Sequence, residues 1–187
     1  GYHLACDARS EAAVTRLRQR KRREAKALAV MAGSMETVRG LCTVSDEEER
    51  WLTSPAAPIV LLARRSDARD MAAESVAPAN PCLGVLLPYA PVHLLLLDAA
   101  NLWVMTSANL SGEPIIYEDD IAVHGLAGIA DAILVHNREI VHRVDDSVLR
   151  MTAGGRQIVR RSRGFAPMPL ALPFDGGTSV LAGGAEL

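Results

Sequence analysis

The stretch from Leu83 to Met105 is the most apolar in the chain and long enough to cross a membrane, yet Pro88, Pro91, His93 and Asp98 interrupt it. Proline continues neither a strand ladder nor a helix interior. The window therefore divides into a strand (Cys82 to Leu87), a helix (Val92 to Ala99) and a second strand (Leu102 to Met105). Ile59 to Ala63 reads as another buried strand upstream. Strands alternating with short helices predict an α/β chain built on a sheet, with no membrane span. At 187 residues and 49% hydrophobic content, one domain with a small appendage can bury its own core.

Local signals fill in the rest. Ser10 caps a helix reaching about Arg22, with Ala13, Val14 and Leu17 at helical spacing. A short strand, Ala27 to Met31, follows. Ser34 is a second cap, and Ser45 with Glu48 makes a capping box ahead of Trp51 and Leu52, so two short helices precede Pro58. Ile121 to Ile129 is weakly helical, and Ala132 to His136 reads as a strand. Ser147 to Met151 and Ile158 to Arg161 flank Gly154-Gly155 as a hairpin, which makes the sheet mixed. From Phe165 the composition turns to Pro, Ala and Gly. This predicts a domain over residues 1–167, a linker over 168–178 and the start of a further element over 179–187.

Several function classes are disfavoured. The formal charge of −2 gives no global pull toward nucleic acid. Cys6, Cys42 and Cys82 are odd in number and form no C-x-x-C pair, which suits a reducing, cytoplasmic setting. The five histidines show no metal-binding spacing, so no zinc site is expected. There is no phosphate-binding glycine loop of either common type and no G-x-S-x-G elbow.

What remains are local constellations. The strand ending at Met105 runs into Thr106, Ser107, Asn109 and Ser111 before Gly112-Glu113-Pro114, which delivers hydroxyls and an amide to a crevice at a strand's carboxyl end. Seven basic residues lie between Arg16 and Lys26, offset by Glu24. Helical spacing places Arg16, Arg20 and Arg23 on one face, and Lys21 and Lys26 where the helix gives way. Beside the Ser107/Asn109 crevice, Lys21, Arg23 and Lys26 would neutralise a polyphosphate; a solvated basic face is the competing reading. Asp145, Asp146 and Ser147 open a strand with two carboxylates and a hydroxyl, a pair suited to Mg²⁺ through waters and phosphates or to closing a turn. Arg160, Arg161 and Arg163 add a second basic cluster, and His93 sits near a helix start.

In this order the segments resemble the YrdC-like domain of the HypF carbamoyltransferases of nickel-iron hydrogenase maturation. The resemblance rests on Cys6-Asp7-Ala8, residues 20–31 and 52–62, Gly84 to His93, Met105 to Pro114, His136-Asn137-Arg138, Arg143 to Val148 and Arg160 to Gly164. It implies a twisted mixed sheet flanked by helices, with a concave basic nucleotide pocket. By motif, Lys21 and Arg23 match the family's K-x-R phosphate contacts and its catalytic pair. Ser107 and Asn109 match its S-x-N contacts, Ser147 its second substrate serine and Arg161 its late arginine. Val180 to Leu187 looks like the first strand of the ASKHA-type transferase domain that follows in these proteins.

The implied chemistry is carbamoyl-AMP formation from ATP, with Mg²⁺, and carbamate derived from carbamoyl phosphate. Transfer to a HypE-type acceptor protein would follow in the longer chain, and a monomer is expected. Two departures stand out: Glu24 and Ala27 occupy positions where the family often has proline, and the family's first strand would precede Gly1. The first predicts a looser turn presenting Lys26, and the second weaker nucleotide binding or an inactive piece. A threonylcarbamoyl-AMP synthase of tRNA modification is the enzymatic alternative. A double-stranded RNA-binding module using Arg16 to Lys26 and Arg160 to Arg163 is the other.

Overall fold

The computed structural model describes residues 1–24, 26–68, 72–98 and 101–171. Its strands are β1 (His3–Asp7), β2 (Ala29–Ala32), β3 (Cys42–Thr43), β4 (Ile59–Arg64), β5 (Cys82–Leu86), β6 (Leu102–Ser107), β7 (Val148–Thr152) and β8 (Gly155–Arg160). Its helices are α1 (Glu11–Lys21), α2 (Met35–Leu41), α3 (Asp46–Leu52), α4 (Pro91–Leu96) and α5 (Asp119–Gly125). The strands form one mixed sheet in the order β1-β6-β2-β5-β4-β7-β8, and β3 pairs with β4. β2 runs parallel to β5 and β4 parallel to β7, while the remaining pairs are antiparallel. The twisted mixed α/β sheet expected from the sequence is the fold.

Strand alternation sorts side chains onto two faces. Val30, Ala32, Val60, Leu62, Leu83, Val85, Leu102, Val104 and Leu149 join the main core with Val14 and Leu17 of α1, Val38 and Leu41 of α2 and Leu52 of α3. Each fully buried Val or Leu of this set contributes roughly 1.5–3 kcal/mol. Met31, Leu86 and Met105 face the other way and form a small second cluster with Tyr89, Leu97 and Trp103 packed against it.

The helix starts follow their caps. Ser10, Ser34 and Ser45 accept from the backbone N–H three residues on, and the Ser45/Glu48 capping box is complete. α4 has proline at its first turn, turns His93 inward and leaves Leu94, Leu95 and Leu96 exposed. It stops at Leu96, short of the expected Ala99, which lies outside the described residues.

Three expectations are corrected. Ala132 to His136 forms no strand: Leu134 and Val135 are exposed and no sheet edge pairs with them, so local β propensity finds no partner. Arg23 does not share the helical face of Arg16 and Arg20, because α1 ends at Lys21 and Arg22 takes the left-handed conformation (φ 54°). The amino-terminal segment, given no element from sequence, supplies β1, which runs antiparallel to β6 with His3 opposite Ser107. The linker and following strand expected over 168–187 lie outside the described residues from 172 onward.

Candidate nucleotide site

α1 and the end of β6 converge on Lys21. Its side chain is 1% exposed, and its ammonium donates to the Ser107 carbonyl (2.5 Å), the Asn109 carbonyl (2.7 Å) and Asn109 Oδ1 (2.5 Å). An ammonium has three donors, so all are engaged. Ser107 Oγ also donates to Asn109 Oδ1 (2.8 Å), and Asn109 Nδ2 donates to the Glu113 carbonyl. Burial pushes the Lys21 pKa down to about 8, the Arg23 charge adds to this, and Asp145 opposes it. Sequence reasoning placed Lys21, Arg23, Ser107 and Asn109 together, and the fold brings Lys21, Ser107 and Asn109 into direct contact. Arg160 of β8 lies close enough to Arg23 to depress its pKa, after burial and Arg18.

The turn carrying Arg23 is held by a residue that motif reading passed over. Arg18 is 8% exposed and donates to the carbonyls of Ser75 (2.5 Å), Arg23 (3.0 Å), Glu24 (3.1 Å), Lys26 (3.2 Å) and Val76 (3.3 Å). Arg23 itself donates to the Lys26 (3.1 Å) and Ala27 (2.7 Å) carbonyls. Guanidinium-to-carbonyl bonds therefore hold the turn in which Glu24 and Ala27 stand for proline. The Lys26 side chain is exposed. The basic run is divided: Arg18 and Lys21 are buried and Arg20 pairs with Asp131 (2.7 Å), while Arg16, Arg22 and Lys26 are exposed. That arrangement disfavours an RNA backbone footprint.

A second wall is built by residues 145–147 and 161–165. Asp146 Oδ1 accepts from Arg163 Nε (3.0 Å) and Nη2 (2.8 Å), and Oδ2 lies 3.3 Å from His3 Nε2. Arg163 also donates to the carbonyls of Ala56 (3.3 Å) and Ala57 (2.8 Å), and its guanidinium stacks 3.5 Å above the Tyr89 ring. The Tyr89 and His93 rings meet edge-on at 4.6 Å. Ser147 is fully buried: its Oγ donates to the Arg163 carbonyl (2.8 Å) and accepts from Ser162 N–H (2.7 Å).

Two residues singled out from the sequence have their polar atoms engaged within the protein. The Ser147 hydroxyl staples the loop, and Asp146 places one carboxylate oxygen on Arg163 and the other beside His3, leaving Asp145 as the carboxylate within electrostatic reach of Lys21. Arg161 donates to the carbonyls of Phe165 (2.9 Å) and Met168 and is exposed. The residue two positions on, Arg163, is the hub; its neighbour Gly164 was the available signal. Gly164 has φ +82°, and an added Cβ would come within 2.7 Å of Ala56 Cα. Gly164→Ala should cost about 2 kcal/mol or more, read as a lowered midpoint in denaturant unfolding.

Two titrations tie this wall to stability. Burial pushes the Asp146 carboxyl up, but its bond to His3 and the charges of His3 and Arg163 prevail and hold it at about 2. Burial pushes the His93 imidazole down to about 4, helped by His3 and Arg163 and opposed by Asp146. A buried neutral His93 loses stability as pH falls from about 6.5 to 4, where the unfolded chain takes up the proton first. Asp146 loses its share from about 4 to 2. The expected losses are about 3 and about 2 kcal/mol. Unfolding midpoints measured from pH 7.5 to 2.5 should fall throughout; His93→Gln should flatten the upper part and Asp146→Asn the lower.

Among the described residues no group of three or more His, Cys, Asp or Glu side chains is placed to share a metal ion. None of the described helices is long and apolar enough to cross a membrane.

The chain belongs to the Sua5/YciO/YrdC family, whose model, described as "Telomere recombination", matches residues 1–162. Carbamoyltransferase HypF of Rhizobium leguminosarum bv. viciae is 43% identical over 195 residues, covering 100% of this chain and 25% of that protein. A crystal structure of full-length HypF in the phosphate- and nucleotide-bound form superposes with a TM-score of 0.87 at 46% identity, over 92% of this chain and 27% of that one. Threonylcarbamoyl-AMP synthase of Rattus norvegicus is a more distant relative, 32% identical over 117 residues, 60% of this chain and 40% of that protein. The chain thus corresponds to the YrdC-like domain of HypF carbamoyltransferases and spans about a quarter of their length.

Proposed function

We propose that this domain forms carbamoyl-AMP and pyrophosphate from ATP and carbamate, the carbamate being derived from carbamoyl phosphate. The carbamate oxygen attacks the α-phosphorus, and the bond from the α-phosphorus to the bridging oxygen of pyrophosphate breaks. The observation that carries this reading is the Lys21 ammonium, buried against Ser107 and Asn109 with Arg23 and Arg160 alongside. A buried ammonium with further cations nearby is costly without an anion, and a triphosphate supplies one. The phosphate- and nucleotide-bound state of a HypF relative supports the same reading.

Two of the three acceptors around Lys21 are backbone carbonyls, at the end of β6 and two residues beyond it, while the third is the Asn109 side chain. A phosphate oxygen therefore replaces Asn109 Oδ1 on Lys21, and the Asn109 amide and Ser107 hydroxyl turn to the substrate. Arg23, on its braced turn, balances phosphate charge. Lys26 and Arg161 are exposed and serve the outer phosphates. Mg²⁺ would enter on the phosphate oxygens, supplying charge neutralisation, with Asp145 as the nearby carboxylate and no protein cage. In the longer proteins the carbamoyl group would pass to a HypE-type acceptor, in the cytoplasm, where Cys6, Cys42 and Cys82 stay as thiols. The test is pyrophosphate exchange into ATP: it should depend on carbamoyl phosphate or carbamate. Dependence on threonine with bicarbonate would instead assign threonylcarbamoyl-AMP synthesis.

A further inference from the structure

The wall facing Lys21 is organised around one residue. Arg163 grips residues 145–147 from both sides: its side chain holds the Asp146 carboxylate, its N–H donates to the Asp145 carbonyl (3.1 Å), and its own carbonyl accepts from Ser147 Oγ (2.8 Å). Its remaining donors bind the Ala56 and Ala57 carbonyls, and Tyr89 stacks on it. Gly164, where no side chain fits, presses the same loop onto Ala56. His3 ties Asp146 to β1. Segments far apart in sequence therefore meet on the guanidinium, and the residue they fix between them is Asp145. His3 stands opposite Ser107, whose carbonyl accepts from Lys21, so the loop that His3 holds through Asp146 lies beside the lysine, and the Asp145 charge acts on both Lys21 and the amino terminus.

We propose that Arg163, through Asp146, is a positioning residue that holds Asp145 across the crevice from Lys21 and so sets the charge balance of the anion site. The charged groups acting on Lys21 are Arg23 from the turn after α1 and Asp145 from the opposite wall; the end of β6 offers two carbonyls and an uncharged amide. A counter-charge favours the protonated form of a lysine this desolvated and so raises its pKa. This inference takes from the proposed function only the identity of the anion, and its test does not use activity.

The chain contains two lysines, Lys21 and Lys26, so ¹³C-lysine labelling gives two side-chain signals to follow by NMR against pH, with exposed Lys26 as reference. Arg163→Lys keeps the charge but cannot serve carbonyls, carboxylate and ring at once. It should lower the Lys21 midpoint by about half a pH unit, roughly threefold in the dissociation constant, the size of one screened charge moved by several ångströms. Asp145→Asn should lower it similarly, and Arg163→Lys added to Asp145→Asn should shift it no further. Should Arg163→Lys not fold, Asp146→Asn is compared with and without Asp145→Asn. Removing the Asp146 charge acts additively if it works only through space, and non-additively if it works through Asp145. An unmoved Lys21 midpoint in folded Asp145→Asn, or full additivity of the pairs, overturns the proposal. Shifts as expected with no pyrophosphate exchange in the parent would leave the positioning role standing and the carbamoyl-adenylation reading refuted.

Discussion

Lys21→Ala should lose pyrophosphate exchange by roughly 30- to 1000-fold, the effect of removing about 2 to 4 kcal/mol of electrostatic stabilisation from a transferring phosphoryl group. The loss is chemical and not merely structural if Lys21→Met, which fills the same buried space, folds with a similar unfolding midpoint and is equally inactive. Because burial holds the Lys21 pKa at about 8, exchange in the parent should also decline as pH rises through 8, where the ammonium loses its proton. That basic limb belongs to Lys21 and should be missing from whatever residual activity the variants retain. Exchange undiminished in either variant would remove Lys21 from the reaction.

The second large effect is expected at Arg18, which contacts no proposed substrate atom. Its guanidinium satisfies carbonyls from residues 23, 24, 26, 75 and 76. Arg18→Ala leaves several of them without a partner in a buried setting and should cost about 3 kcal/mol of stability, since a hydrogen bond from a charged donor is worth about 1.5–3 kcal/mol and more than one is lost. The turn that presents Arg23 loses its brace at the same time, so ATP affinity should fall together with the unfolding midpoint. Arg18→Lys, with three donors, should fall between. A midpoint unchanged in Arg18→Ala would mean that the carbonyls find water and that the brace is unnecessary.

These two residues mark what the sequence reveals and what it conceals. Helix starts were legible because a cap is local: Ser10, Ser34 and Ser45 with Glu48 act within three residues. β4, β5 and β6 were legible as apolar runs bounded by breakers, and Lys21, Ser107 and Asn109 by their motifs. β3, two residues long, carries no pattern. Ala132 to His136 carries one and forms no strand, because no strand of the described sheet pairs with it. Arg18 binds main-chain carbonyls, and Arg163 adds two of them to its bonds with Asp146, and a carbonyl has no letter in a sequence. Ser147 and Asp146 matched a motif, but their bonds to residues 162 and 163 could not be read from it.

The measurement that tests the central claim most directly is mass-spectrometric detection of the adenylate formed from ATP and Mg²⁺, with carbamate generated from ammonium and bicarbonate in one reaction and threonine with bicarbonate in another. Carbamate bypasses any need for carbamoyl phosphate cleavage. The account predicts carbamoyl-AMP, with pyrophosphate in equal amount, in the first reaction, and none of it with Lys21→Met. Threonylcarbamoyl-AMP in the second reaction, with no carbamoyl-AMP in the first, would contradict it.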